Sequence, residues 1–181
     1  MDGLVTDKIL AEKNLNLKDK ADKIRLVLTD VDGVLTDTGI YYSPDGEMIK
    51  RFSIRDGMGV ERLRKHADIE TAIITGENSG IVKARAQKLK ITQVYLGVTD
   101  KKSLFEEILK KNQLQPENIA FIGDDVNDLE IMKLVGLTAC PSDAMIFIKD
   151  ISDYICENKG GYGAFREFAE LIIALQHSNN K

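Results

Sequence analysis

The chain has 181 residues, enough for one domain with a substantial core. Its composition, 43% hydrophobic and 30% charged with 3 prolines, is that of an ordinary globular protein and excludes disordered and fibrous classes. A formal net charge of -4 supplies no basic surface, so nucleic acid is excluded as an expected partner, and an anionic substrate would need locally placed basic residues.

Residues 1–22, opening MDGLVTDKILAEKNLNLKDK, are charged throughout and read as a helical or frayed extension ahead of a single domain over 23–181. They carry no apolar signal region, and no later stretch approaches a membrane span, so a cytoplasmic protein is expected. IRLVLT (24–29) reads as a buried strand. GIYYSPDGEMIKRFS (39–53) has two extended runs around Ser-Pro-Asp-Gly and reads as an inserted hairpin. GMGVERLRKHA (57–67) is a helix, TAIIT (71–75) a strand, SGIVKARAQKL (79–89) a helix and QVYL (93–96) a strand. KKSLFEEILKKN (101–112) is a helix with Leu104, Phe105, Ile108 and Leu109 on one face. IAFIG (119–123) is a strand, and NDLEIMKLV (127–135) a helix stopped by Gly136. LTAC (137–140) and DYIC (153–156) read as short edge strands, their Cys140 and Cys156 as buried thiols, and GAFREFAELIIALQ (163–176) as a final amphipathic helix. This alternation predicts an α/β fold, a three-layer parallel sheet covered on both faces, with a hairpin inserted after strand one.

In such a sheet, ligands bind beyond the carboxyl ends of the strands. Strand one ends at Asp30, strand two at Thr75-Gly76, and strand four in GDDVND, which carries Asp124, Asp125 and Asp128. Lys101 opens the helix after strand three. Four separate segments thus send acids, a hydroxyl and an amine to one rim. Carboxylates crowded together raise one another's pKa, and a hard divalent cation relieves that. The spacing excludes a calcium EF-hand: its fifth and sixth loop positions would be Val34 and Leu35 from Asp30, or Leu129 and Glu130 from Asp125. Mg2+, which combines few carboxylates with phosphate oxygens, fits better. A carboxylate facing a metal-bound phosphoryl group is a competent nucleophile, and an acid two residues on, Asp32, can exchange the proton. Each element also has a plain alternative. Asp-x-Asp-Gly is often a turn, Asp125 or Asn127 can cap a helix, and Lys101 can be a solvated charge. Lys101 nevertheless opposes the dipole of its own helix, which hints at an anionic partner.

DVDGVLT (30–36), Thr75, Lys101 and GDDVND (123–128), in this order, resemble the four-motif signature of the haloacid dehalogenase superfamily. DVDGVLTDTGIYY, RDGMG (55–59) and GGYGAFRE (160–167) closely resemble its capless sugar-acid phosphatases, the 3-deoxy-D-manno-octulosonate 8-phosphate (KDO 8-phosphate) phosphatase family of lipopolysaccharide precursor synthesis. The resemblance spans about residues 24–176. It implies a capless Rossmann-like fold with Asp30 as nucleophile and Asp32 as general acid and base. It also implies Mg2+ held by Asp30, the Asp32 backbone carbonyl and Asp124, with Thr75, Gly76 and Lys101 binding the phosphoryl group. Asp125 and Asp128 would support the metal and the lysine. The family further implies a homotetramer associated through the hairpins (about 39–53), with the C-terminal tail (158–181) of one subunit closing a neighbour's site.

Arg55, just after the hairpin, is a candidate for a sugar carboxylate. One departure concerns specificity: Glu77 follows Thr75-Gly76 where octulosonate phosphatases usually carry a basic residue, and Tyr162 stands where they commonly have Arg. Both are similar to the branch acting on 2-keto-3-deoxynonulosonate 9-phosphate. Lys88 shares a helix face with Glu77, so Arg55, Glu77 and Lys88 are the candidate specificity residues. Two rivals have other functions. A phospho-accepting receiver domain places its phosphorylated Asp on the third strand, whereas this chain's Asp-x-Asp ends the first. A silent oligomerisation module would have no need of intact Asp30, Asp32, Lys101 and Asp124.

Overall fold

The computed structural model describes residues 4–178. The chain runs α1 (Leu4–Lys13), α2 (Lys18–Ala21), β1 (Leu26–Thr29), β2 (Thr36–Ser43), β3 (Gly46–Phe52), α3 (Ile54–Ala67), β4 (Glu70–Ile74), α4 (Gly80–Lys88), β5 (Gln93–Tyr95) and α5 (Lys101–Asn112). It continues with β6 (Ile119–Ile122), α6 (Leu129–Met132), β7 (Leu137–Cys140), α7 (Ile146–Lys149), β8 (Tyr154–Ile155) and α8 (Ala164–His177).

Six strands form one parallel sheet in the order β5-β4-β1-β6-β7-β8. Successive side chains of a strand face opposite ways, so continuous apolar runs such as LVLT and IAFI feed two cores. Val27, Ile73, Ala120 and Ile122 pack on one side with Leu63 of α3, Val82 of α4 and Phe165 and Phe168 of α8. Leu28, Ile74 and Phe121 pack on the other with Phe105 and Ile108 of α5, Ile131 of α6 and Ile148 of α7. This is the expected three-layer α/β arrangement. β2 and β3 form the expected antiparallel hairpin, separate from the main sheet.

Several readings change in detail. β7 is not an edge strand: it lies between β6 and β8, all four residues buried, and the two-residue β8 takes the edge. The helix expected over 127–135 is broken into a 3-10 turn (Val126–Asp128) and the four-residue α6. The Asp128 side chain turns inward to bond the backbone of Asp124, and Gly136 N–H is claimed by the carbonyls of Pro116 and Ile119. The N-terminal segment contributes Ala11, Leu17 and Ala21 to the core, and Gln176 of α8 donates to Ala21 O at 2.8 Å. The RDGMG stretch lies inside α3, which starts at its cap residue Ser53. Its Asp56 is buried and accepts from Gly163 N–H at 3.2 Å and Arg166 N–H at 3.0 Å, fixing the start of α8. Among the described residues, no helix is long and apolar enough to cross a membrane.

Candidate active site

The strand order reverses between β1 and β6, where a crevice opens beyond the strand ends. Thr29 is in register with Ile122, and Asp30 N–H donates to Ile122 O at 3.0 Å. The residues leaving the two strands, Asp30 and Gly123-Asp124, therefore start side by side. After Asp30 the chain coils tightly, with Val31 O accepting from the N–H groups of Val34, Leu35 and Thr36 at 2.9 to 3.2 Å. Gly33 sits at φ +93°, and a Cβ there would collide with the Asp124 carboxylate, so both backbone angle and space demand glycine.

Asp30, Asp124 and Asp128 each bring a carboxylate oxygen within 4.8 Å of the others. Lys101 inserts between them, its Nζ 2.9 Å from Asp30 Oδ1 and 2.5 Å from Asp128 Oδ1. Asp128 Oδ2 accepts from Asp124 N–H at 2.9 Å. Three carboxylates share one ammonium, so negative charge is in excess. Burial, then the Asp128 charge, pushes Asp30 up to about 7 despite Lys101. Burial, then the charges of Asp30 and Asp128, pushes Asp124 up to about 8. Burial alone would lower the Lys101 pKa, but the Asp30 and Asp128 charges outweigh it and the ammonium is favoured. Asp124 Oδ1 is buried with no hydrogen-bond partner. An all-oxygen donor set with a surplus of charge and an orphaned oxygen suits a hard divalent cation, which Asp30, Asp124 and Asp128 could hold.

The remaining sequence candidates are distributed unevenly. Thr75 is buried at the end of β4, the neighbour of β1, where its hydroxyl accepts from Glu77 N–H at 3.1 Å; Gly76 beside it is exposed. The Asp32 carboxylate is turned from the acid cluster to Lys50, at 2.9 Å and 2.7 Å. Asp125 is exposed and caps the 3-10 turn through Val126 N–H at 2.6 Å. Asp128 lies deeper than the sequence suggested, fully buried within the cluster. Arg55, Glu77 and Lys88 are all exposed and are not members of the buried acid cluster. Glu77 lines a cavity of about 420 Å3 with Tyr42, Glu47 and Ser79, between the hairpin and the start of α4. Arg55 and Tyr162 belong to another cavity, of about 620 Å3, between α1, β8 and α8.

Sequence reasoning missed Lys50, whose reach to Asp32 depends on the hairpin folding back over the β1 loop. It also missed Arg51, which bonds Asp37 Oδ2 at 3.1 Å and Gly161 O at 2.9 Å and stacks on Tyr162 at 4.1 Å. Gly161 N–H donates to Val34 O at 2.8 Å, and a Cβ on Gly160 would strike Gly33 O. Residues 160–177 thus pack within their own chain, the glycines directly on the loop that carries Asp30 and Asp32.

Comparison with known proteins agrees with this geometry. The haloacid dehalogenase-like hydrolase family matches residues 60–165. The 3-deoxy-D-manno-octulosonate 8-phosphate phosphatase of Escherichia coli K12 is 42% identical over 157 residues, covering 87% of this chain and 83% of that protein. The crystal structure of the Yersinia pestis phosphatase of the same name superposes with a TM-score of 0.86 at 40% identity, covering 91% and 89% of the two chains. The Moraxella catarrhalis phosphatase, solved with a magnesium ion, a phosphate ion and KDO, superposes with a TM-score of 0.86 at 35% identity, covering 91% and 94%. This chain belongs to the haloacid dehalogenase-like hydrolases and, within them, to the 3-deoxy-D-manno-octulosonate 8-phosphate phosphatase family.

Proposed function

We propose that this protein is a Mg2+-dependent phosphatase that hydrolyses 3-deoxy-D-manno-octulosonate 8-phosphate through an aspartyl-phosphate on Asp30. The observation that carries this reading is the buried Asp30–Lys101–Asp128 cluster with Asp124 at the crevice of the parallel sheet. Membership of a family whose Moraxella member holds magnesium, phosphate and KDO supports it.

The cation would be held by Asp30, Asp124 and the Asp32 backbone carbonyl implied by family resemblance, with Asp128 supporting Lys101 and the Asp124 backbone. When bound, it neutralises phosphoryl charge and holds Asp30 ionised. Lys101 and the Thr75–Gly76 turn bind the phosphoryl oxygens. An Asp30 carboxylate oxygen attacks phosphorus; the sugar oxygen leaves and takes a proton from Asp32. Asp32, now a carboxylate, takes a proton from water; the resulting hydroxide attacks phosphorus, releasing phosphate and restoring Asp30. Asp125 supports the site from its rim.

Tyr41, Tyr42, Met48 and Ile49 are more than half exposed on the hairpin, an apolar surface that supports association into a homotetramer. The reading places the enzyme in the cytoplasm, in lipopolysaccharide precursor synthesis. Arg55, Glu77 and Lys88 are assigned to substrate selection. A second reading, 2-keto-3-deoxynonulosonate 9-phosphate as substrate, is favoured by Glu77, whose exposed acid lines the cavity beside the hairpin.

Phosphate release measured on both sugar phosphates, with and without Mg2+, tests the proposal. Mg2+-dependent release that is faster from the octulosonate ester is expected. Faster release from the nonulosonate ester moves the assignment to the second reading, and no release from either contradicts both.

A further inference from the structure

The hairpin buries a charge and exposes its apolar residues. Along β3, Met48 is 56% and Ile49 55% exposed, while the Lys50 side chain is completely buried. An isolated buried ammonium is costly and is tolerated only when paired. Lys50 Nζ lies 2.9 Å from Asp32 Oδ1, 2.7 Å from Asp32 Oδ2 and 3.2 Å from Glu47 Oε2, so its protons have acceptors on two acids. Glu47 in turn accepts from the hydroxyl of Ser79, the residue that caps α4 through Val82 N–H. Thr36 Oγ1 donates to Asp32 Oδ1 at 3.2 Å. Asp32 Oδ1 therefore has two donors and Oδ2 one, and the Asp32 side chain is 23% exposed.

We infer that Lys50 is the positioning residue for Asp32: the hairpin, anchored through Glu47 to Ser79, uses the Lys50 ammonium to hold the Asp32 carboxylate in the orientation that exchanges a proton with the leaving sugar oxygen. The inference rests on the proposed acid–base role of Asp32. It assigns the hairpin a task inside its own subunit. Replacing one partner of a buried pair frees the other to rotate, and misplacing a catalytic carboxylate by an ångström lowers turnover without abolishing binding.

The test compares Lys50→Met, Lys50→Arg, Asp32→Asn and the double variant Asp32→Asn/Lys50→Met on the sugar phosphate and on p-nitrophenyl phosphate. An aryl leaving group departs without protonation, so loss of a positioned acid falls on the sugar ester. Lys50→Met should lower kcat/KM, which reports the first phosphoryl transfer and not the later water attack common to both esters, about 100-fold on the sugar phosphate and less than about 5-fold on the aryl ester. KM should stay within about 3-fold, as expected when an interaction made only in the transition state is lost. Lys50→Arg should recover part of the loss, and the double variant should fall no further than Asp32→Asn alone. Equal losses of kcat/KM on both esters, an effect confined to KM, or additive losses in the double variant would overturn the inference. If Asp32→Asn itself shows no difference between the esters, the acid–base reading fails; if only Lys50→Met shows none, the inference fails alone. Should Lys50→Met not fold, Glu47→Gln, which removes one of the two acids paired with Lys50 and leaves Ser79 free to cap α4, decides the matter: a smaller loss of kcat/KM confined to the sugar ester supports the anchor, and an equal loss on both esters refutes it.

Discussion

Lys101 Nζ lies 2.9 Å from Asp30 Oδ1, joining the first residue of α5 to the end of β1 across 71 positions of sequence. Both side chains are buried, and the same ammonium bonds Asp128. Lys101→Met keeps the stem but strands two buried carboxylates, a change worth about 3–5 kcal/mol when a buried ion pair is broken. Protonating the stranded acids relieves part of that cost. Thermal melts should therefore show a smaller loss in mildly acidic buffer than in mildly alkaline buffer. An equal loss in both would mean that Lys101 is not compensating these acids.

The raised carboxyl groups make a signed prediction about pH and metal. The native pKa values, about 7 for Asp30 and about 8 for Asp124, lie above the ordinary 3.8 of an unfolded chain. Between those limits the metal-free native state binds more protons than the unfolded state, so stability falls as pH rises. The contribution of these groups is whole below the unfolded value and is lost through about pH 7 to 8. A bound cation replaces those protons, so the rise in Tm on adding Mg2+ should grow from mildly acidic to mildly alkaline buffer. Asp124→Asn should raise the metal-free Tm at alkaline pH and lose most of the Mg2+ response. A Mg2+ response that shrinks as pH rises would contradict the assignment.

The central strands and the acid cluster are legible in the sequence because each strand is a continuous apolar run ending in its functional residue. Asp30 follows LVLT, Thr75 follows TAII, and Asp124 follows IAFIG. Lys101 was legible because a lysine at a helix start is electrostatically out of place. Lys50 was not, because alternation in a hairpin predicts Ile49 inward, and only the folding of β2–β3 over the β1 loop reverses it. Asp56 was equally hidden, since its partners lie 107 and 110 residues away at the start of α8. The interior position of β7 depends on β8, too short at two residues to announce itself as the edge.

Asp56 accepts both bonds while burial pushes its pKa up. Asp56→Ala removes the acceptor of two N–H groups at the start of α8 and should destabilise the fold by about 2 kcal/mol. Denaturant unfolding reads that loss as a lower midpoint at unchanged slope. A midpoint equal to that of the unmodified chain would show that α8 does not need this cap.

Glu77 lies beside the cavity between the hairpin and α4. Both esters carry a carboxylate, so the choice turns on what each presents here: Glu77 favours an ester that offers hydroxyls to it, and Glu77→Arg favours one that offers its carboxylate, the role proposed for the octulosonate ester. The ratio of kcat/KM for the octulosonate ester to that for the nonulosonate ester should rise about 10-fold or more, the scale of one charge-assisted contact. An unchanged ratio would remove Glu77 from substrate selection.

The most direct measurement is acid-quenched turnover with phosphorus-labelled substrate and Mg2+, followed by peptide mapping of the trapped label. The account predicts label on the peptide containing Asp30, none in Asp30→Asn, and, with a labelled aryl phosphate whose departure needs no acid, more label in Asp32→Asn, where water attack is slowed. Rapid phosphate release that leaves no label on Asp30, or turnover that survives in Asp30→Asn, would contradict it.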